Sequence, residues 1–316
     1  MIDLILTALV PVAFVVLLGF LAGKTKLVSA DGAKNLSTTV VNFALPCALF
    51  VSIFGFSPSQ FENIPYVLTL LIGIVLPFFV ALFLGLVVFK KPANEAALFG
   101  SNSGFPDMAY FGLPVVMTVV GQQGMLPIIV GNIITSIIVI PVIMAMLNKG
   151  SGETGSKTGT EAPGIGGILL NTIKQPVVWA PISGLILALL GFKLPELATD
   201  SLKLLGGVSG GLALFTLGVL LSFLTPRIDG SVITVVVFKN FVMPALVLAL
   251  ALVLKLDPLL AKGAVIIAAC PAATMGAMLS SQFGVATDKI PGQILASNVV
   301  AIFTMAMWIF IAEKLF

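Results

Sequence analysis

Long apolar stretches, punctuated by short polar or charged clusters, organise the whole chain. A helix crossing a bilayer needs about 20 apolar residues, and hydropathy with Gly, Pro and charge punctuation predicts ten such spans. The first five run from Ile2 to Gly23, Leu36 to Phe56, Ile64 to Phe89, Ala96 to Val120 and Met125 to Leu147. The second five run from Gln175 to Gly191, Ser201 to Leu224, Ser231 to Leu254, Leu259 to Phe283 and Ile290 to Ala312. Between them Lys149 to Gly167 reads KGSGETGSKTGTEAPGIGG, too polar to span and rich in flexible-linker residues. The expected organisation is a five-helix unit over 1–148, a cytoplasmic linker over 149–171 and a second five-helix unit over 172–316.

Composition agrees with this pattern. Of 316 residues, 59% are apolar and 9% charged, whereas a soluble domain carries about 25% charged residues. The chain is therefore expected to be an all-α polytopic membrane protein. Histidine is absent, and Cys47 and Cys270 each adjoin a proline inside an apolar run. These facts exclude His-based catalysis, haem ligation and a Cys/His zinc site. An intramembrane aspartyl protease needs two facing aspartates, and only Asp107 falls within a span. No nucleotide-binding motif supports ATP-driven pumping. The expectation is a protein that is not an enzyme, with no cofactor and no metal site. The net charge of +3 is dispersed as single lysines, so no nucleic-acid partner is expected.

Those lysines report topology. Lys24, Lys26 and Lys34 follow span one, Lys90 and Lys91 span three, and Lys149, Lys157 and Lys174 span five, while the loops after spans two and four have none. By the positive-inside rule the odd-numbered loops are cytoplasmic and both termini lie outside. The second half is less polarised, with Arg227 and Lys289 inside against Lys193, Lys203, Lys255 and Lys262 outside. Orientation rests on the first half.

An internal repeat emerges when the chain is shifted on itself by 165 residues. Pro11-Val12 meets Pro176-Val177, Gly19 meets Gly184, Ala48-Leu49-Phe50 meets Ala213-Leu214-Phe215, and Pro106 meets Pro271. At 166, Gly131-Asn132 meets Ser297-Asn298. Units with an odd number of spans must lie in the membrane with opposite orientation, the architecture of many secondary transporters working by alternating access.

Such transporters bind substrate where helices break near the midplane. Span four carries Gly100-Ser-Asn-Ser-Gly104 followed by Pro106-Asp107, and span nine carries Pro271, Ala272, Thr274 and Gly276. Broken, crossing helices are expected there, with packed proline kinks as the alternative. The candidate substrate-binding residues are Asn102, Ser103, Gly104, Pro106, Pro271, Ala272 and Thr274, joined by the repeat-paired Asn132 and Asn298. Intramembrane charge is costly and asks for a reason. Asp107 is expected to cap the second half of its own span, to couple transport to an ion, or both. Lys239 either snorkels to the cytoplasmic surface or faces substrate. Asn42 and Asn240 read as interhelical hydrogen-bonding residues, and the Gly206–Gly211 run as a close-packing surface.

The stretch Asn42-Phe-Ala-Leu-Pro46-Cys-Ala-Leu-Phe50 resembles the motif of the auxin efflux carrier family of membrane transporters. Ser-Asn102-Ser-Gly104 and Gly112-Leu-Pro114 add to the likeness. Lys174-Gln-Pro176-Val-Val-Trp179-Ala-Pro181 and Gly191-Phe-Lys-Leu-Pro195 are similar to bacterial members described as malonate transporters. The resemblance implies a bile-acid-sodium-symporter-like fold, with spans one, two, six and seven as scaffold and a transport domain in which spans four and nine cross. It also implies a bacterial inner-membrane carrier of small organic anions, a malonate-like dicarboxylate first, with Asn102 at the crossing. A monocarboxylate, an auxin-like aromatic acid or an anion channel are the alternatives. The expected partners are the organic anion and the lipid bilayer; proton or sodium coupling and homodimer assembly stay open.

Overall fold

The computed structural model describes residues 2–55, 63–112, 115–116, 119–121, 125–154, 173–223 and 229–316. Leu113 and Pro114 of the sequence motif, Arg227 and most of the expected linker lie outside them. The elements are helices: α1 (Ile2–Lys24), α2 (Ala30–Phe54), α3 (Ile64–Val87), α4 (Ala93–Gly104), α5 (Leu126–Lys149), α6 (Pro176–Leu189), α7 (Glu196–Ser222), α8 (Gly230–Val253), α9 (Pro258–Ala269), α10 (Met275–Phe283) and α11 (Ile290–Leu315). Six of them are long and apolar enough to cross a membrane. Phe14, Leu204 and Phe303 are each more than 60% exposed on the outer face, a surface that lipid can cover and water cannot.

Several boundaries differ from expectation for local reasons. α2 begins at Ala30 because Ser29 caps it, accepting from the Gly32 N–H at 3.1 Å. The last helical segment of the first half continues to Thr154, into the stretch expected to be linker; each residue added to an existing helix gains a backbone bond.

Three long helices contain a wide π turn, at Val40–Ala44, Thr135–Val139 and Phe238–Val242. Each ends two residues before a proline, Pro46, Pro141 or Pro244. Proline has no N–H and crowds the carbonyl four residues back, and one widened turn relieves that crowding without ending the helix.

Two groups of helices pack internally. α1 lies along α7, and α2 packs on α6 and α7; α3, α4, α5, α8, α9 and α11 pack on one another around the broken segments. Glycines set the closest approaches. A Cβ on Gly19 would stand 2.0 Å from the Phe215 carbonyl oxygen, and one on Gly184 would stand 3.0 Å from that of Phe50. These contacts are reciprocal, since the 165-residue offset pairs 19 with 184 and 50 with 215. Gly206 likewise sits on the backbone of Cys47 and Ala48.

The same offset recurs in element boundaries. α3 and α8 each have 24 residues and start at 64 and 230, 166 apart. α4 and α9 each have 12 and start at 93 and 258, 165 apart. Asn63 caps α3 by accepting from the Tyr66 N–H, and Asp229 caps α8 by accepting from the Val232 N–H.

Three loops gather on one face. Glu95 pairs with Lys91 and, at 3.7 Å, with Lys289, and the charge of Lys91 reaches Asp229. The loops after the third, seventh and ninth expected spans therefore share a side.

Candidate functional site

Both interruptions are present and they touch. α4 stops at Gly104 and α9 at Ala269, and Pro106 pairs with Ala272 in an isolated antiparallel bridge. The Asp107 N–H donates to the Pro271 carbonyl and the Ala273 N–H to the Phe105 carbonyl, both at 2.9 Å. The prolines explain the break, and the break explains the bridge: backbone groups freed in an apolar interior must find partners, and two broken chains supply each other's.

Side chains complete the accounting. The Ala272 N–H donates to Ser297 Oγ at 3.1 Å. Ser297 Oγ donates to Asn240 Oδ1 at 2.8 Å, and Asn240 Nδ2 returns to the Ser297 carbonyl at 3.0 Å. Trp308 Nε1 donates to the Asn240 carbonyl at 2.8 Å, which Pro244 four residues on leaves without its helical partner.

Each buried charge sits on one lip of the α9–α10 break. Asp107 is 6% exposed, and its Oδ2 accepts from the Thr274 hydroxyl at 2.8 Å and from the Thr274 N–H at 3.3 Å. It thus caps α10 across the bridge. The antiparallel bridge sets Asp107 beside Pro271 and turns its carboxylate toward the positive end of the opposite helix. Lys239 is fully buried, and its Nζ donates to the Ala268 carbonyl at 2.8 Å. Snorkelling is overturned: the π turn at Phe238–Val242 turns Lys239 inward onto the last turn of α9, where a cation meets the negative end of a helix.

Asn102 is fully buried. Its Nδ2 donates to Gln293 Oε1 at 2.9 Å and to the Ile290 carbonyl at 3.5 Å, while its Oδ1 has no hydrogen-bond partner. The Ile290 carbonyl can only accept, so this orientation of the amide is fixed. Gln293 Nε2 donates onward to Ser231 Oγ at 3.1 Å, and Ser231 Oγ to Asp229 Oδ1 at 2.7 Å. A hydrogen-bonded chain therefore runs from the broken helix to the cap of α8. The hydroxyl of the preceding residue, Ser101, is also buried without a partner. Gly276 has no side chain for a steric reason: a Cβ there would lie 2.3 Å from Asn102 Oδ1.

The remaining expected site residues divide clearly. Pro106, Pro271, Ala272 and Thr274 form the bridge and its cap. Ser103 donates to the Phe99 carbonyl of its own helix, and Gly104 permits contact with α3, where a Cβ would meet the Phe78 nitrogen at 2.5 Å. Asn132 donates to Ser52 on α2 at 3.4 Å, and Asn298 to the Ile294 carbonyl at 2.8 Å. Neither amide reaches the bridge, although Gly131 packs on Met108 just beyond it. Sequence reasoning missed Gln293 and Ser297. Asn240 makes the interhelical hydrogen bonds expected of it, and Asn42-Phe-Ala-Leu-Pro46 and Asn240-Phe-Val-Met-Pro244 share a spacing that marks both π turns.

Apolar spanning helices around two mutually paired breaks make this a multi-pass membrane protein with a polar centre buried in its interior. The profile of the membrane transport protein family matches residues 4–309, and the chain belongs to that family, the auxin efflux carrier family its motifs resemble. It is a membrane transporter. The "Uncharacterized transporter YfdV" of Escherichia coli (strain K12) is 29% identical over 308 residues, 96% of each chain. The "Putative malonate transporter" of Rhizobium meliloti (strain 1021) is 25% identical over 295 residues, 92% of this chain and 90% of that one. An "Uncharacterized transporter" of Methanothermobacter thermautotrophicus is 24% identical over 304 residues, 94% of this chain and 95% of its own.

Proposed function

We propose that this protein is a secondary carrier of small organic anions that works by alternating access, with the paired breaks as its substrate site. The observation that carries the reading is the antiparallel bridge between Pro106 and Ala272, flanked by the uncommitted oxygen of Asn102. Ten spans in two inverted five-helix repeats, 1–148 and 172–316, are part of the proposal. The reciprocal glycine contacts, the matching caps and the 165–166 offset between element starts support them. α1, α2, α6 and α7 would form the scaffold against which the remaining helices move.

A carboxylate entering this site meets the N-terminus of α10 near Thr274, about half a positive charge, and the Ser101 hydroxyl as a donor. In the present state Asn102 offers an oxygen, which suits a hydroxyl or protonated acid and repels a carboxylate. Binding an anion would require its amide to turn and release Gln293. Malonate is the first substrate to test, by likeness to the Rhizobium relative; the acceptor face of Asn102 favours hydroxy acids such as lactate or malate as the second reading. Asp107 is the proposed coupling group, since its neutralisation would weaken the cap on α10. Asn132 and Asn298 are proposed to act from the repeat-related walls.

Uptake of labelled malonate, lactate, malate and an aromatic acid into proteoliposomes, under imposed proton and sodium gradients, tests this. Saturable flux with exchange, lost in Asn102→Ala while the protein stays folded, is the expected result; non-saturating flux would point to a channel. The proposed placement is the bacterial inner membrane with both termini outside. A cysteine replacing Lys193 should then be labelled from outside intact cells and one replacing Lys26 should not.

A further inference from the structure

We infer that the Lys239 ammonium is the built-in cation of the broken-helix site, standing where a free metal cation would otherwise balance Asp107 and the C-terminal end of α9. Translocation therefore needs no bound sodium. Cation sites in broken-helix carriers are made from unwound carbonyls and half-helix C-terminal ends, and Lys239 Nζ occupies that kind of position. It donates to the Ala268 carbonyl at 2.8 Å, one residue before α9 stops. Across the same break Asp107 holds Thr274, and its own N–H is bonded to the Pro271 carbonyl. A buried carbonyl oxygen at a helix C-terminus, with a buried carboxylate across the break, offers a hard monovalent cation one ligand and a balancing charge. Asp107 and the Cys270 thiol are the titratable groups within electrostatic reach of the ammonium.

A side chain tethered through four methylenes differs from a free ion in one respect: it cannot leave with the substrate or be drawn in by a gradient. The positive charge of the site is thus present at every stage of transport without contribution from the metal cations of either side. A lysine that merely fills space, or merely caps a helix, predicts no vacancy for an added cation once it is removed; a lysine standing in for an ion does.

The test uses the full-length protein in detergent, with the melting temperature followed as N-methyl-D-glucamine is exchanged for sodium, lithium or methylammonium at constant ionic strength. Wild type is expected to show no saturable response. Lys239→Ala is expected to melt about 10 °C lower and to recover saturably with sodium or methylammonium. Adding Asp107→Asn should abolish that recovery. A flat Lys239→Ala response in all three cations overturns the inference, as does saturable stabilisation of wild type by sodium. Should Lys239→Ala not fold, Lys239→Met combined with Asp107→Asn, which removes both charges, is expected to give folded protein. A double variant no better than Lys239→Met alone overturns the inference. Its transport arm rests on the carrier reading: wild-type malonate uptake should be unchanged when sodium is replaced on both sides, and a sodium requirement overturns the inference. Absence of uptake for every acid overturns the carrier reading instead, and the melting series still decides the role of Lys239.

Discussion

Replacing Gly276 with alanine disturbs the proposed site without altering any polar group in it. The added Cβ would lie 2.3 Å from Asn102 Oδ1, so the amide must retreat by about 1 Å to reach ordinary contact distance. Asn102 is fully buried and held by its Nδ2 bond to Gln293, so retreat stretches or breaks that bond. A lost buried hydrogen bond costs about 1 kcal/mol, and leaving Gln293 Oε1 unpaired costs about as much again. The sum of about 2 kcal/mol corresponds to about 30-fold in an equilibrium constant. The folding stability of Gly276→Ala, read from its denaturation midpoint, should fall by about that amount, close to that of Asn102→Ala. Gly211→Ala is the control, because nothing lies within 4 Å of a Cβ there. A double-mutant cycle isolates the cause: in an Asn102→Ala background the clash is gone and Gly276→Ala should cost nothing further. A penalty that persists in that background would refute the argument.

Asp107→Asn retains an acceptor for the Thr274 N–H and removes the charge, so exchange should persist while gradient-driven accumulation fails; unchanged accumulation would reduce Asp107 to a helix cap. Gly19→Ala forces α1 and α7 apart against the Phe215 backbone and should cost about 3 kcal/mol. Gly184→Ala, with 3.0 Å to a backbone oxygen, should cost clearly less, and equal melting temperatures for the two would contradict the packing account. Burial raises the Asp229 carboxyl, but hydrogen bonds from Ser231 and Val232 and the charge of Lys91 outweigh it and hold the group below its ordinary 3.8. Its contribution to stability is therefore complete above 3.8 and lost as pH falls through the lower folded value. Melting temperature should drop more steeply on acidification in wild type than in Asp229→Asn, and parallel curves would exclude the effect.

The apolar helices, six of them among the described residues long enough to cross a bilayer, were legible because a bilayer imposes length and apolarity, and the breaks because Gly100-Ser-Asn-Ser-Gly-Phe-Pro106 and Cys270-Pro271 cannot sit in an undisturbed helix. The offset of 165 was legible for the same reason, since glycines and prolines at close approaches and breaks tolerate little substitution. Partner choice was not legible. Nothing local tells Asp107 to cap α10; the antiparallel bridge decides that. The inward turn of Lys239 depends on one residue of extra winding before Pro244, which a 3.6-residue period does not represent. Gln293 lies 191 residues from Asn102, and one buried glutamine in an apolar helix carries no pattern that names its partner.

The hydrogen-bonded chain from Asn102 through Gln293 and Ser231 to Asp229 has no counterpart on the other half of the molecule. At an offset of 166 its members fall on Ala268, Pro127, Pro65 and Asn63, and the first three have no polar side-chain atom. On the proposed reading, a carrier built from two related halves, the protein would be wired to one bathing solution alone. Passive wiring cannot alter the concentration ratio at which net flux stops, because that ratio belongs to the gradients. It can make the outward and inward journeys run at unequal speeds, so acid applied on the Asp229 side would throttle traffic that the same acid on the opposite side leaves alone. The protein would behave kinetically as a rectifier while remaining, thermodynamically, a two-way door.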